Sequence, residues 1–474
     1  MILLFLILIP LVSGLLSFVI QSEQVKSLAI VSSLATMVVS IILAFVFQNE
    51  TAFLEIPWLQ GMGASFALKA GGISIFMALL TGIVYFILFI SRLQVKLPNL
   101  NRYIGLLLLT QAGLMGVFLA HDFLLFYFFW ELALIPMYFL ASQWGDENRV
   151  KVTFKFFVYT FLGSLFMLAG LIYLYLQANQ SFQYEHILAA ANQLDASTQQ
   201  WMFWLVFIAF AIKMPLFPFH TWQPDAYETT ETSSTIVLSA LMVKMGLFAV
   251  IKWLLPLFPE GTAYWSSTVI VLSLIGIIYA SLIAFVQKDI KRVIAYSSIA
   301  HIALMNLGLF MNTESAIDGV MYQMFNHGIT VTGLWLLMSI IENKYKTRNM
   351  SQMGGMAKLA PTASIFLVIL AFSNVGLPLT HSFIGEFMIF NGIMQSAFDN
   401  HILFMVLAGS GIILSAMYML RLVQKVAYGK VPKQVESYVE AKDISTPEWI
   451  GLGLVLLIVI VGGIYPNVFM QVFL

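Results

Sequence analysis

The chain has 474 residues, of which 60% are hydrophobic and 10% charged, with 23 basic residues against 23 acidic ones. That apolar share is well above the level of roughly half seen in soluble domains, so no soluble core could bury it, and the balanced charge gives no pull toward nucleic acid or acidic ligands. The absence of cysteine excludes disulfides, thiolate metal sites and iron–sulfur clusters within the chain, so any redox chemistry must belong to partners.

Apolar runs long enough to cross about 30 Å of hydrocarbon as helix recur from end to end. The first, 2–20, lacks a basic leader and a small-residue cleavage site and reads as a retained span, not a signal peptide. It is followed by 27–47, 72–91, 104–120, 122–142, 153–177, 201–221, 234–256, 266–287, 293–311, 317–341, 362–398, 401–427 and 448–466. The expected fold is therefore an all-α integral membrane protein of about fourteen transmembrane helices. Open strands would strand their amide groups in lipid, and the runs lack the period-two alternation of a barrel.

Two of the spans are interrupted. The seventh contains Lys213-Met214-Pro215-Leu216-Phe217-Pro218, where each proline removes a backbone donor and crowds the preceding turn. The twelfth run is too long for one straight crossing and holds Asn374-Val375-Gly376-Leu377-Pro378 near its middle. The expected organisation is one polytopic domain over 1–474, with helices one to three in 1–100, a five-helix repeat in 104–256, a second in 266–427 and helix fourteen in 448–466. Each break then falls in the fourth helix of its repeat. An odd number of crossings inverts one repeat relative to the other, the plan of transporters whose sites lie at broken helices.

Orientation follows from Lys and Arg, which cytoplasmic loops retain. With the N-terminus outside, the inner loops hold Lys26; Arg92, Lys96 and Arg102; Arg149, Lys151 and Lys155; Lys288, Lys291 and Arg292; Lys344, Lys346, Arg348 and Lys358; and Arg421, Lys425, Lys430, Lys433 and Lys442. The outer loops hold only Lys69. A miscounted helix would scramble this alternation, so the pattern predicts both termini on the outer side of the membrane.

A charged group at the bilayer centre is costly, so each one must be paired, hydrated or neutral. Glu131 lies roughly 14 Å into span five by helical rise, Lys213 is about as deep in span seven, and Lys244 lies in span eight. Glu386 follows Pro378 by eight residues and would sit in the first turns of the second half of span twelve, where unpaired amides favour an anion. Ion pairs that merely hold helices in register are the bland alternative, but two of the four groups sit at helix breaks. Lysine suits a proton relay because burial weakens its hold on the proton while a nearby carboxylate strengthens it. The expected order is that Glu131 modulates Lys213, Lys244 accepts the proton next and Glu386 is the terminal site.

His301 and His327 can exchange protons near neutral pH and have Ser297, Ser298 and Asn326 as polar neighbours; relay and plain packing both remain open for them. His220 is either a relay group or an interfacial anchor, and His381 lies close to the second break. Lys252, nearer the outer surface, is expected to snorkel. Asp225, Glu228 and Glu231 form an acidic inner loop, expected to be solvated more than proton-gathering.

At these residues the chain resembles the antiporter-like subunits of respiratory complex I, the proton-translocating NADH:quinone oxidoreductase. The resemblance is carried by KMPLFPFHTWQPDA from Lys213 to Ala226, LMVKMG from Leu241 to Gly246, KRVIAYSSIAHIAL from Lys291 to Leu304, Asn326-His327-Gly328, Gly385-Glu386-Phe387 and Trp130-Glu131. It implies inverted five-helix repeats, a Glu131–Lys213 pair, Lys244 as central lysine and Glu386 as terminal residue. Glutamate at that last position, and an end soon after span fourteen, are similar to the M-type branch, the counterpart of mitochondrial subunit four. The resemblance further implies proton movement from inside to outside, driven by quinone reduction in partner subunits that hold NADH, FMN, iron–sulfur clusters and quinone, with L- and N-type subunits as membrane neighbours. No redox cofactor or metal is expected in this chain, which lacks a Rossmann-type Gly-rich loop. A subunit of a multisubunit cation/proton antiporter, one of an energy-converting hydrogenase, and a scaffold whose charges only pin helices are the alternatives. The chain departs from the family pattern at Tyr227-Glu228-Thr229-Thr230-Glu231-Thr232, where His, a variable residue and Glu-Ala-Pro are usual, and at Leu379 and His381 near the second break.

Overall fold

The structure, a computed structural model, describes residues 1–46, 51–92, 95–432 and 443–473, so Lys433 and Lys442 of the charge pattern lie outside the described residues. The helices in chain order are α1 (Ile2–Ser17), α2 (Ser22–Val46), α3 (Ile73–Ser91), α4 (Leu100–Leu119), α5 (Phe123–Gln143), α6 (Arg149–Gln177), α7 (Tyr184–Asn192), α8 (Ala196–Lys213), α9 (Gln223–Thr229), α10 (Thr232–Leu257), α11 (Pro259–Val286), α12 (Ile290–Leu309), α13 (Glu314–Tyr345), α14 (Pro361–Asn374), α15 (His381–Gln395), α16 (His401–Ala427) and α17 (Thr446–Ile464). Among the described residues, eleven of them are long and apolar enough to cross a membrane. Every apolar run read from the sequence meets a helix, and the twelfth run meets two, α14 and α15.

Helices apolar all round pack at the centre, because they can be covered on every side. The central stretch of α13 is wholly buried, as are most residues of α3, α10 and α12, whereas α16 and α17 leave most of their apolar surface outward, as lipid-facing helices do. The α13–α15 contact places Glu386, and it needs small residues: a Cβ on Gly319 would meet the Ile389 backbone nitrogen at 2.7 Å.

The sequence reading missed α9, which falls in the expected acidic inner loop, and two further elements. Residues Ala52–Leu59 (β1) and Ala64–Ala70 (β2) form an antiparallel hairpin, which a window of spanning length averages away. Asp122 ties it down, accepting from the backbone N–H of Ser65 at 3.0 Å while capping α5 through that of Leu125, also at 3.0 Å. The second is α7, a short helix in the stretch left as loop.

Both predicted breaks are present. Helix α8 ends at Lys213, and Trp222 Nε1 reaches back to donate to the Ile212 carbonyl at 2.9 Å, satisfying a group the interruption frees. The α14–α15 break turns through left-handed backbone at Gly376 (φ 73°) and Leu379 (φ 76°) before restarting at His381.

Candidate proton-relay site

Lys213 is the last residue of α8, where free carbonyls favour a cation, and it is 2% exposed. Its ammonium lies 5.4 Å from the ring centroid of Trp130, and its Nζ has no hydrogen-bond partner in the protein. Glu131, the next residue after that tryptophan, stands within coulombic reach of Lys213 but makes no ion pair with it by distance, and Ser164 lies beside its carboxylate. The two groups thus feel each other across a short gap.

Lys244 is fully buried in α10. Its Nζ donates to the Ser239 carbonyl at 2.7 Å and lies 2.7 Å from His327 Nδ1. The turns on either side, Leu238–Met242 and Val250–Leu254, are π-helical. On the other side of the imidazole, His327 Nε2 is 3.1 Å from Ser298 Oγ, and the His301 ring sits 5.6 Å away, centroid to centroid. His301 Nδ1 is 3.5 Å from Glu386 Oε1. Lysine, two histidines and a glutamate from α10, α13, α12 and α15 therefore form one contiguous buried row.

The expected hand-over from Lys213 directly to Lys244 has no counterpart in contact: among the described residues no hydrogen bond or ion pair joins them. The helices do approach there, since a Cβ on Gly246 would meet Met214 Cβ at 2.8 Å. The neighbour of Lys244 is His327 instead.

Glu386 lies within the first two turns of the second half-helix, as read, but not against free amides. It is the sixth residue of α15, past the free amides of the first turn, and its partners are side chains: His301, and Gln323 Nε2 donating at 3.4 Å. Its other oxygen lies over Gly376 in the break, where a Cβ would come within 2.4 Å of Oε2. Gln323 precedes His327 by one helical turn, so the i, i+4 spacing carried a signal that the sequence reading passed over. Tyr418, which donates to Ser297 Oγ at 2.9 Å, comes from a distant helix and had no such signal.

The acids of the expected inner loop are partly buried and paired, and Asp225 and Glu228 lie on α9. Asp225 pairs with Lys155 and Arg292, Glu228 with Arg292 and Arg348, and Glu231 with Arg92, which also donates to Ser339. Tyr103 donates to Glu231 as well. Burial alone would raise the Glu231 pKa, but the Arg92 charge, the Tyr103 hydroxyl and the Ser233 N–H together hold it below the usual carboxylate range. An isolated carboxylate so buried would be costly, so the loop's acids take basic partners from neighbouring helices. His220 is buried against Phe217 and Tyr279, and His381 is fully buried, its Nε2 2.9 Å from Thr330 Oγ1. Lys252 lies 5.4 Å from the ring centroid of Tyr184 on α7.

The family described as NADH:quinone oxidoreductase/Mrp antiporter, TM, matches residues 120–414, which contain every member of this row. The chain belongs to that family. Among curated members of the NADH:quinone oxidoreductase/Mrp antiporter family, NADH-quinone oxidoreductase subunit M of Rickettsia typhi is 37% identical over 98% of this chain and 96% of its own length. NADH-ubiquinone oxidoreductase chain 4 of Marchantia polymorpha is 32% identical over 98% and 94%. A chain of respiratory complex I from Thermus thermophilus with bound NADH superposes with a TM-score of 0.91 at 28% identity, covering 100% of this chain and 97% of that one. The chain is thus an antiporter-like, multi-pass membrane subunit of this family.

Proposed function

We propose that this chain is a proton-translocating membrane-arm subunit, M-type, of an NADH:quinone oxidoreductase, and that its relay runs Glu131, Lys213, Lys244, His327, His301 and Glu386. The reading rests on the 2.7 Å contact between Lys244 and His327, continued through His301 to Glu386. A buried ammonium against an imidazole can pass its proton across one hydrogen bond, and the second ring nitrogen releases one on the far side. Glu131, beside Lys213, tunes how firmly that lysine holds its proton, which is what loading and unloading require.

In this reading NADH, FMN, the iron–sulfur clusters and quinone belong to partner subunits, and L- and N-type subunits flank the chain in the membrane. Quinone reduction there drives protons from inside to outside through two inverted five-helix units, 104–256 and 266–427, in a bacterial inner membrane with both termini periplasmic. Lys244→Met, which cannot ionise, should abolish proton translocation in an assembled complex of normal abundance. Unchanged pumping by that variant would return the buried charges to a purely structural role.

A further inference from the structure

Between α11, α14 and α16 lies a crevice of about 690 Å³ whose lining includes none of the relay residues. Its wall on α16 follows the helix: Met417, Arg421, Gln424 and Tyr428, the last just past the helix end, are spaced by four, three and four residues, so a single face lines it throughout. The chemistry changes along that face. Met417 and Leu420, with Val368 and Phe372 of α14, make an apolar floor, while Arg421, Gln424, Lys425 and Tyr428 make a polar mouth. Met417 and Leu420 stay 44% and 48% exposed, so the floor is not covered by the chain itself. From Met417 to Tyr428 the helical rise spans roughly 16 Å, close to the roughly 15 Å of hydrocarbon in one leaflet.

Cations at the end of a spanning helix need no ligand if they snorkel to water or pair with acids. Arg92, Lys155, Lys291, Arg292 and Arg348 of the same charge pattern each take a carboxylate. Among the described residues Arg421 and Lys425 take none, and no residue lining the crevice is acidic. Arg421 lies back against the protein, its guanidinium 5.2 Å from the ring centroid of Phe285 on α11. A planar fork held at a ring keeps its N–H donors directed together, the arrangement that receives two oxygens of a phosphate.

We propose that this crevice seats one anionic phospholipid of the leaflet in which α16 ends, its phosphate held by Arg421 and Lys425 and one acyl chain laid along Leu420, Met417 and Phe372. Two cations facing no acid fit a negative headgroup, and the apolar floor that follows them fits the chain attached to it, in the order and over the length that a lipid presents. A neighbouring subunit would have to bring an acid of its own to the same mouth. The seat depends on neither the relay nor the orientation proposed above.

The test uses the assembled complex in phosphatidylcholine nanodiscs containing phosphatidylglycerol with a photoreactive group on one acyl chain, with cross-links located by peptide mass spectrometry after irradiation. Expected is labelling at Phe372, Met417 or Leu420 that unlabelled phosphatidylglycerol suppresses and that phosphatidylcholine carrying the same probe does not reproduce. Arg421→Gln combined with Lys425→Gln should cut it at least fivefold at equal abundance of the complex, and so should Leu420→Trp, which fills the floor and leaves both charges. Lys151→Gln, at an exposed base on α6, should leave it unchanged. Labelling that ignores the charges at 421 and 425, survives Leu420→Trp, falls as far in Lys151→Gln or is matched by the phosphatidylcholine probe would mean ordinary lipid contact and overturn the seat. A crevice unlabelled in the assembled complex would give it to a neighbouring subunit and overturn the seat as well. Pumping by Lys244→Met bears on the relay alone.

Discussion

Replacing Arg92 by Met tests how the inner ends of the helices are held together. Arg92 and Glu231 are 13% and 10% exposed, and the pair, with Tyr103 and Ser339, joins the ends of α3, α4, α10 and α13. Removing one partner of a buried ion pair costs about 3–5 kcal/mol, because the other charge stays behind uncompensated. Glu231 would keep its bonds from Tyr103 and from the Ser233 N–H at 2.7 Å and is not wholly dry, so the expected loss is nearer 2–3 kcal/mol. Glu231→Gln, which keeps the shape and an acceptor oxygen, should cost about 1–2 kcal/mol, and the double variant should fall short of the sum by at least 1 kcal/mol. The measurement is a denaturation titration of the four purified proteins in detergent, closed as a double-mutant cycle. Because the folded pKa of Glu231 is depressed, the pair's contribution is complete above the ordinary carboxylate value and is lost as pH falls through the folded value. The gap between wild type and Arg92→Met, full at pH 7, should therefore narrow at about pH 4. Costs that simply add, or a gap that widens in acid, would show that the pair does not hold these helices.

Two further outcomes are expected. Gly376→Ala places a methyl group 2.4 Å from Glu386 Oε2 on left-handed backbone, so it should displace the carboxylate and depress proton translocation, while Gly354→Ala, also at positive φ but far from the relay, should leave pumping unchanged. Burial pushes the Asp122 pKa up to about 6, against the lowering pull of the Leu125 and Ser65 amides. A raised acid binds its proton more tightly when folded, so wild-type melting temperature should decline as pH rises from its ordinary value through about 6; in Asp122→Asn, which keeps the cap acceptor, that slope should vanish.

Helix positions were legible because membrane spans are written in long, unambiguous apolar runs, and the breaks because proline and glycine interrupt them. The hairpin at 52–70 and helix α7 were not, since each strand and the helix itself are shorter than any spanning window, and the hairpin owes its place to tertiary anchors such as Asp122. The six relay candidates were individually visible as ionisable residues inside apolar runs. Their order was less so: that His327 touches Lys244 depends on helix azimuth and on which helices adjoin, neither of which a one-dimensional pattern contains. The acidic loop misled for a related reason, because Arg92, Lys155, Arg292 and Arg348, the bases that neutralise it, come from other segments of the chain.

The widened turns of α10 on both sides of Lys244 make the aim of that lysine a matter of residue count. A turn that holds an additional residue offsets the angular bookkeeping of everything beyond it, so losing one residue between 238 and 242 would swing the ammonium by about 100° relative to the helix start. Composition and hydropathy would barely register the change, yet the lysine would face a different neighbour. An alignment that keeps the lysine but shortens this stretch therefore describes a differently wired protein.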